Sequence, residues 1–146
     1  MRYYLLLGSN IGDRMGNLAT AREYLKRVGL EEIQRSQIYE SLPWGFRPQP
    51  LFLNQVVAID TSLSPLELLR IIKNIEARMG RRKTIRYGPR KIDIDILMIK
   101  GRSYQDEDLI IPHSHLPHRP FAHLPLRELI PLPLPPISKG EVWSVT

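Results

Sequence analysis

Residues 53–79 read LNQVVAIDTSLSPLELLRIIKNIEARM, in which a strand pattern passes directly into a helix pattern. The first ten residues are rich in branched apolar side chains, which is typical of a strand. Ser64 suits the N-cap of the following helix, Pro65 its first position, and Glu67 the reciprocal position of a capping box. An apolar stripe at helical spacing continues towards Gly80, formed by Leu68, Leu69, Ile72, Ile75 and Met79. We predict a strand over residues 53–62 and a helix that begins at Pro65.

The N-terminal part of the chain repeats this order of strand and helix. Residues 2–7 have the composition of a strand, and residues 8–13 form a glycine-containing turn in which Asp13 can cap a helix. Gly29 ends that helix, whose apolar positions recur at helical spacing as Leu18, Ala21, Leu25 and Val28. Residues 34–41 then read as a second strand, and residues 42–50 as a loop with three prolines.

The last predicted strand covers residues 92–99, so the order of elements is βαββαβ. This order predicts an α+β protein with a ferredoxin-like core, in which both helices lie on one face of an antiparallel sheet. Eight of the 13 prolines lie between Pro112 and Pro136. We therefore expect an irregular, proline-rich C-terminal part with loops and short helices.

Length and composition narrow the class of protein. A chain of 146 residues with 42% hydrophobic residues predicts a single globular domain over residues 1–146. The absence of cysteine excludes disulfides, thiolate zinc sites, iron–sulfur clusters and cysteine nucleophiles. No apolar run approaches the roughly 18 residues of a membrane-spanning helix, and the short N-terminal run does not match a secretory signal. We expect a cytoplasmic protein that does not contact a membrane.

Positive charge is concentrated in one segment of the chain. Seven of the 21 lysines and arginines lie between Arg78 and Lys91, and this window contains no acidic residue. The rest of the chain carries 14 basic and 15 acidic residues, so it is close to neutral. Such a local cluster favours a compact polyanion such as a nucleotide over a nucleic-acid surface that spreads across the molecule.

Two carboxylates follow this basic segment on the last predicted strand. Asp93 and Asp95 are two positions apart, so both side chains point to the same face of the strand. Like charges this close are costly unless a cation joins them, and Mg²⁺ accepts carboxylate oxygens while it leaves positions for phosphate. Two solvated aspartates on an exposed strand face are the alternative. The basic segment favours the metal site, because arginines and metal-bound carboxylates can hold the same phosphates from two sides.

The four histidines all lie between His113 and His123. Their density suggests a zinc site, but the prolines at positions 112 and 117 break any regular ligand geometry and no cysteine can complete the set. Loop histidines with ordinary hydrogen bonds are the simpler interpretation. One of them bonding a phosphate fits the basic segment and the acid pair better than zinc does.

Four short motifs stand in a fixed order along residues 7–131: LGSNIGD at 7–13, QPLFLN at 49–54, RYGPRKIDIDIL at 86–97 and IPH at 111–113. Together they resemble the hydroxymethyl-dihydropterin pyrophosphokinases of folate biosynthesis (2-amino-4-hydroxy-6-hydroxymethyl-dihydropteridine pyrophosphokinases). The resemblance implies a ferredoxin-like fold and transfer of the β,γ-diphosphate of ATP to the hydroxymethyl group of a dihydropterin, with release of AMP. It also implies two Mg²⁺ ions as cofactors and ATP as the co-substrate.

The resemblance assigns a role to each matching residue. It implies that Asp93 and Asp95 bind the metal ions, and that these two residues with Arg81 and Arg90 form the catalytic set. The residues implied for ATP binding are Glu76, Arg81, Tyr87, Arg90, His113 and Arg119. The residues implied for pterin binding are Ser41, Leu42, Trp44, Phe52, Asn54 and Phe121, of which the two phenylalanines would sandwich the flat pterin ring.

Two other functions remain as alternatives at this point. A ferredoxin-like sheet with a pI of about 9.8 can be an RNA-binding module, although such a module needs exposed aromatic residues where the strand at 92–99 has two aspartates. A metal-dependent phosphohydrolase could use the same acid pair and would release inorganic phosphate without any pterin. We expect a monomer that acts on ATP and hydroxymethyl-dihydropterin and binds no nucleic acid.

Overall fold

A computed structural model describes residues 1–43, 48–80, 89–114, 116, 119–131 and 142–145. None of the helices in these ranges is long and apolar enough to cross a membrane. The helices are α1 (Arg14–Arg27), α2 (Pro65–Arg78) and α3 (Pro120–Leu129). The strands are β1 (Arg2–Ser9), β2 (Glu31–Arg35), β3 (Tyr39–Ser41), β4 (Phe52–Asp60), β5 (Asp93–Ile99), β6 (Tyr104–Gln105), β7 (Ile110–Ile111) and β8 (Val142–Ser144).

The main sheet is antiparallel and has the strand order β5-β1-β4-β3-β8, with β2 paired to the far half of β4. The connections β1-α1-β2 and β4-α2-β5 are the two βαβ units of the predicted ferredoxin-like core. The strands β6 and β7 form a separate hairpin. The fold class inferred from the sequence is therefore confirmed.

The two faces of the sheet carry two apolar clusters. The helices α1 and α2 pack on one face, as predicted, and share a core that includes Leu5, Leu7, Leu18, Leu25, Val57, Ile59, Leu68, Ile72 and Ile75. The helix α3 covers the other face through a second cluster, formed by Tyr4, Leu6, Val56, Ala58, Leu97, Leu116, Ala122 and Leu126. This opposite face, which we call the α3 face, also carries most of the side chains that the sequence singled out.

The strand predicted over residues 34–41 is two strands, and this prediction was wrong in its continuity. The chain leaves the sheet ladder after Arg35 and resumes pairing at Tyr39. Ser36 explains the break, because its Oγ donates to the carbonyl of Gln37 and accepts from the backbone N–H of Val56. A hydroxyl that bonds the local backbone offers it an alternative to the regular ladder.

The C-terminal part contains more regular structure than the prolines predicted. The helix α3 runs for ten residues even though Pro125 lies inside it, and β8 adds a strand to the sheet beside β3. Residues 132–141 lie outside the described residues. The irregular C-terminal part that the prolines predicted is therefore not confirmed. The prolines disfavour α3, but burial of its apolar side against the sheet stabilises the helix.

The capping box at the start of α2 is present as predicted and allows a stability test. The Ser64 Oγ accepts from the Glu67 backbone N–H at 3.3 Å, and the Glu67 side chain accepts from the Ser64 N–H at 3.2 Å. We expect Ser64→Ala to lower the free energy of unfolding by about 1 kcal/mol, because the Glu67 backbone N–H loses its side-chain acceptor at the start of the helix. Calorimetry should show a fall in Tm of about 3–4 °C. Ser62→Ala, which leaves the box intact, is the control, and an equal fall in both variants would contradict this account.

Candidate active site

The α3 face carries a row of directly opposed positions across four neighbouring strands. Asp93 on β5 lies opposite Gly8 on β1, Gly8 lies opposite Asn54 on β4, and Asn54 lies opposite Tyr39 on β3. Opposed residues of antiparallel strands project to the same face, so these four positions form what we call the central row. Gly8 has no side chain, and the row is therefore open between the Asp93 carboxylate and the Asn54 amide.

Asp93 and Asp95 lie on the same face of β5, as the alternation of the strand predicted. Burial and the neighbouring Asp93 charge raise the pKa of the Asp95 carboxyl to about 7, whereas the Arg119 guanidinium opposes this rise. The Asp95 side chain is 25% exposed, so it still reaches the solvent on one side. Two carboxylates that repel each other in this way favour a bound cation over the empty pair.

The segment after β7 brings a histidine and an arginine to this acid pair. The backbone N–H of His113 donates to the Leu97 carbonyl at 2.8 Å, and the Leu116 N–H donates to the His113 carbonyl. One turn later the Arg119 Nη1 lies 3.5 Å from the Asp95 Oδ2, with the Arg119 side chain only 13% exposed. His113 and Arg119 lie more than 20 residues after the basic segment in the sequence, and both contact β5, at Leu97 and Asp95.

Glu76 joins α2 to the same strand from the edge of the sheet. Its Oε2 accepts from the Ile94 backbone N–H at 2.9 Å, its Oε1 lies 3.4 Å from the Lys73 Nζ, and the residue is 2% exposed. Beside it a cavity of about 340 Å³ opens between α2, β5 and the β6–β7 hairpin. Its lining combines apolar walls with polar groups, among them Leu69, Lys73, Asp95, Ile96, Leu109, His113 and Ser114.

The other end of the central row holds the residues expected to bind a flat ring. Asn54 is 2% exposed, and its Nδ2 donates to the Ser41 Oγ at 2.8 Å and towards the Tyr39 carbonyl at 3.4 Å. Phe52 lies opposite Ser41 and is partly exposed. Phe121 belongs to α3 and packs against the second apolar cluster, with the Arg119 guanidinium 5.8 Å from its ring centre. Leu42 follows at the end of β3 and is exposed.

Asn10 joins three loops around this site. Its Nδ2 donates to the Gln49 Oε1 at 2.7 Å and to the Pro50 carbonyl at 3.0 Å, and its Oδ1 accepts from the Arg90 backbone N–H at 2.7 Å. The Asn10 backbone N–H also donates to the Arg90 carbonyl. This buried side chain therefore sets the position of Arg90 relative to the segment that leads into Phe52.

We expect Asn10→Ala to lower the free energy of unfolding by about 2–4 kcal/mol, because it removes three hydrogen bonds of a residue that is 1% exposed. Urea unfolding measures the loss, and hydrogen exchange at residues 49–51 and at Arg90 shows whether these loops are released together. Asn74→Ala on the exposed side of α2 is the matched control. A loss no larger than that of the control would show that Asn10 does not hold the loops.

The structure brings most of the sequence-predicted site residues to one side of the molecule. The acid pair, Arg119 and His113 lie together around β5, and Ser41, Phe52, Asn54 and Phe121 lie along the other end of the α3 face. Trp44, Arg81 and Tyr87 lie outside the described residues. Sequence reasoning missed the roles of Gly8 and Asn10, because it read residues 8–13 as a turn, whereas β1 extends to Ser9. It also missed Lys73, whose sequence signal is its position on α2 shortly before Glu76, and it assigned Leu69 to the apolar stripe of the helix and not to a cavity.

The histidines do not form a zinc site among the described residues, where no group of three potential metal ligands is found. His115 and His118 lie outside those residues. His123 is buried on α3, and its Nε2 donates to the Leu116 carbonyl at 2.7 Å. Of the two histidines that the structure describes, His113 lines the cavity beside the acid pair and His123 does not.

A ferredoxin-like sheet that holds an acid pair beside a largely buried arginine and a cavity of about 340 Å³ is typical of phosphate-transferring α+β enzymes. Residues 4–131 match the family model of 7,8-dihydro-6-hydroxymethylpterin-pyrophosphokinase (HPPK). The chain belongs to this family. It is 47% identical over 131 residues to the 2-amino-4-hydroxy-6-hydroxymethyldihydropteridine pyrophosphokinase of Methylorubrum extorquens, covering 89% of this chain and 83% of that enzyme. The enzyme of the same name from Aquifex aeolicus is 45% identical over 134 residues, which cover 92% of this chain and 83% of that one.

Other similar proteins are much longer than this chain. The folic acid synthesis protein fol1 of Schizosaccharomyces pombe is 44% identical over 129 residues, which are 88% of this chain but 18% of that protein. A crystal structure of an HPPK-DHPS protein in complex with substrates superimposes with a TM-score of 0.67 at 18% identity, covering 89% of this chain and 40% of that one. That likeness supports the fold. Neither the RNA-binding module nor the phosphohydrolase is supported by these comparisons.

Proposed function

We propose that this protein transfers the β,γ-diphosphate of ATP to the hydroxymethyl oxygen of 6-hydroxymethyl-7,8-dihydropterin, which releases AMP and gives the pterin diphosphate for folate synthesis. The central row is the observation that carries this proposal. It separates the Asp93 carboxylate from the Asn54 amide by a single strand, on which Gly8 leaves the space open. Diphosphate and pterin can therefore meet above β1.

The nucleotide end lies around β5. The lining of the cavity beside Glu76 offers apolar side chains, Leu69, Ile96 and Leu109, for an adenine base, and polar groups at Lys73, His113 and Ser114. His113 lines this cavity together with Asp95, and the Arg119 Nη1 lies 3.5 Å from the Asp95 Oδ2, which supports a contact of both residues with phosphate oxygens. We assign ATP binding to these residues together with Glu76, Arg90, Arg81 and Tyr87. Glu76 acts here by holding the Ile94 backbone at the cavity edge.

The pterin end lies on β3, β4 and α3. A pterin is a flat heteroaromatic molecule, so a site needs stacking faces and groups that bond its edge. Phe52 and Phe121 supply the stacking rings on the α3 face, and Asn54, held by the Ser41 Oγ, supplies the edge amide. From the resemblance we assign Leu42 and Trp44 to the same pocket.

Asp93 and Asp95 are suited to hold magnesium. Burial and the like charge of Asp93 raise the pKa of Asp95, so a cation bound between the two carboxylates would relieve their repulsion. Mg²⁺ is bound by one or two carboxylates together with substrate phosphates. We propose two ions, which when bound would neutralise phosphate charge and lower the pKa of the attacking hydroxyl. Asp95 also contacts Arg119. This carboxylate would therefore lie next to both positive groups that we propose for the phosphates, the magnesium ions and the Arg119 guanidinium.

The remaining task of the protein is positioning. The hydroxymethyl oxygen must attack the β-phosphorus in line with the departing AMP oxygen, and most of the rate gain in such reactions comes from alignment and charge stabilisation. Arg119 is a low-exposure guanidinium beside the acid pair, and Arg90 is fixed at its backbone by Asn10. We assign Arg81, Arg90, Asp93 and Asp95 to the catalytic set, with the arginines stabilising the charge that develops on the transferred group.

The first experiment measures AMP release from ATP with Mg²⁺ and 6-hydroxymethyl-7,8-dihydropterin, with a pterin-free reaction as the control. AMP that forms only with the pterin supports the proposed reaction. Release of inorganic phosphate without the pterin would indicate the phosphohydrolase instead. A third reaction with EDTA in place of Mg²⁺ should give no AMP.

We further propose that residues 1–146 act as one domain, as a monomer in the cytoplasm, on these two small molecules and without nucleic acid. Outside residues 78–91 the chain is close to neutral. This supports the absence of nucleic-acid binding, because an RNA-binding surface is broad and basic. Sedimentation equilibrium tests the monomer, and titration with random RNA at two salt concentrations tests the absence of nucleic-acid binding.

A further inference from the structure

A group of three side chains lies on the opposite side of β3 from the proposed pterin pocket. The Glu40 Oε2 accepts from the Arg14 Nη1 at 2.7 Å, and the Glu40 Oε1 accepts from the Trp143 Nε1 at 3.0 Å. The Arg14 Nη1 also donates to the Leu51 carbonyl at 3.0 Å. We call Arg14, Glu40 and Trp143 the Glu40 clamp. It joins the first turn of α1, the middle of β3, the start of β4 and the C-terminal strand β8.

Each contact of the clamp lies next to a residue of the pterin end. Glu40 directly precedes Ser41, and Leu51 directly precedes Phe52. Ser41 and Phe52 are themselves opposed in the β3–β4 ladder. A shift of either backbone would therefore move a pocket side chain, although no atom of the clamp faces the pocket.

The strand β3 depends on its neighbours because it has only three residues. One edge pairs with β4, and the other edge pairs with β8 along its whole length, followed by a bond from the Val145 N–H to the Ile38 carbonyl. A short strand without the second partner would be an edge that frays easily. The Trp143 bond to Glu40 ties β8 to the carboxylate that also holds Arg14.

The side chains of the clamp are partly shielded from solvent, so their hydrogen bonds hold them in one arrangement. The Glu40 side chain is 19% exposed and the Arg14 side chain 31% exposed, and both Glu40 oxygens have a donor. A carboxylate with both oxygens bonded holds its position better than a solvated surface pair. Trp143 lies beyond residue 131, where the match to the family model ends.

We propose that Arg14, Glu40 and Trp143 are positioning residues that set the pterin end of the site through β3 and Leu51, and that β8 therefore contributes to pterin affinity. This inference rests on the proposed function, since it needs the pterin to bind on β3 and β4. Among the described residues, the hydrogen bonds of the clamp reach Leu51 but no residue of β5 or of the cavity lining. The clamp should therefore affect the pterin and leave ATP binding unchanged.

The test compares Trp143→Phe, which removes the indole N–H and keeps an aromatic ring, with Glu40→Ala, which removes both hydrogen bonds that Glu40 accepts. We expect the KM for the pterin to rise about threefold in Trp143→Phe and at least about tenfold in Glu40→Ala, with the KM for ATP unchanged. Asp60→Asn is the control, because it breaks the Arg2–Asp60 ion pair at the opposite end of β4. Thermal unfolding of every variant measures the structural effect separately.

The outcomes distinguish a clamp that positions the pterin end of the site from a clamp that only stabilises the fold. A rise in pterin KM that is absent in Asp60→Asn at equal loss of Tm supports the proposal. Equal rises in both KM values, or a pterin KM unchanged in Glu40→Ala, would overturn it. If the wild type makes no AMP from ATP and pterin, the proposed function fails, and direct titration of a fluorescent pterin into wild type and Trp143→Phe still tests the clamp.

Discussion

Asp95→Asn should reduce diphosphate transfer by about 1,000-fold or more while the protein remains folded. Asparagine has nearly the same shape as aspartate but lacks the charge that a magnesium ion and Arg119 would meet. It also removes the repulsion between two carboxylates on one face of β5, so the loss of activity should come without a loss of stability. The AMP-release assay and calorimetry on the same preparation measure both effects.

The pH dependence of stability checks the same residue without any metal. The pKa of Asp95 is raised from 3.8 to about 7, mainly because the carboxyl is buried and secondly because Asp93 is close. The folded state therefore binds more protons than the unfolded state between these two pH values, and the stability of the wild type falls as the pH rises through this window. The asparagine side chain in the variant does not titrate. With EDTA present, the Tm of Asp95→Asn should exceed that of the wild type increasingly from pH 4 to pH 8.

The control for this pair of measurements is Glu23→Gln, which removes one exposed carboxylate of α1 far from the acid pair. It should leave both the activity and the pH profile of Tm unchanged. A large fall in the Tm of Asp95→Asn at pH 8 would contradict the account and would identify Asp95 as a structural residue held by Arg119.

Gly8→Leu should reduce activity by about 100-fold or more, because a side chain at position 8 would occupy the middle of the central row. Gly8 lies between Asp93 and Asn54 on the α3 face, and it has no side chain to fill the space where we propose that the diphosphate meets the pterin. ATP should still bind, because the cavity beside Glu76 does not include Gly8. Activity and ATP titration on one preparation separate the two effects.

Gly8→Ala is the matched control for the leucine variant. A Cβ atom at position 8 would lie 3.7 Å from the Asn54 Oδ1 and 3.7 Å from a Phe52 ring carbon, which are ordinary contacts. The alanine variant should therefore fold and keep most of its activity. Full activity in Gly8→Leu would show that the two substrates do not meet above β1, and the proposed reaction geometry would be wrong.

Local patterns in the chain were sufficient to predict the core of the fold. Short-range chemistry accounts for the capping box at Ser64, the alternation in β5 and the helix ends at Gly29 and Gly80. Gly29 and Gly80 both adopt the positive φ angles that are common just after a helix. The order βαββαβ then leaves few topologies. The ferredoxin-like arrangement follows because right-handed crossovers bring β1 and β4 to the centre.

The acid pair was also predictable, because two residues of the same charge on one side of an otherwise apolar strand are a local anomaly. The motifs around residues 7–13, 49–54, 86–97 and 111–113 then indicated the family. What they could not reveal was that Asp93 and Asn54 share one row, since this depends on the register of β1 against two strands that are far apart in the chain. Register is decided by burial of whole faces rather than by local propensity.

Tertiary structure alone decided three features. The strand over residues 34–41 is divided because the Ser36 hydroxyl bonds the backbone of Val56 on β4 and that of its neighbour Gln37. The helix α3 forms despite Pro125 because the sheet buries its apolar side. The C-terminal strand β8 pairs with β3 and joins the Glu40 clamp. The sequence determined the elements of the βαββαβ core and which residues carry charge, since both depend on neighbours along the chain. Structure decided which of those residues meet, since a contact between distant segments exists only after the sheet has buried them together.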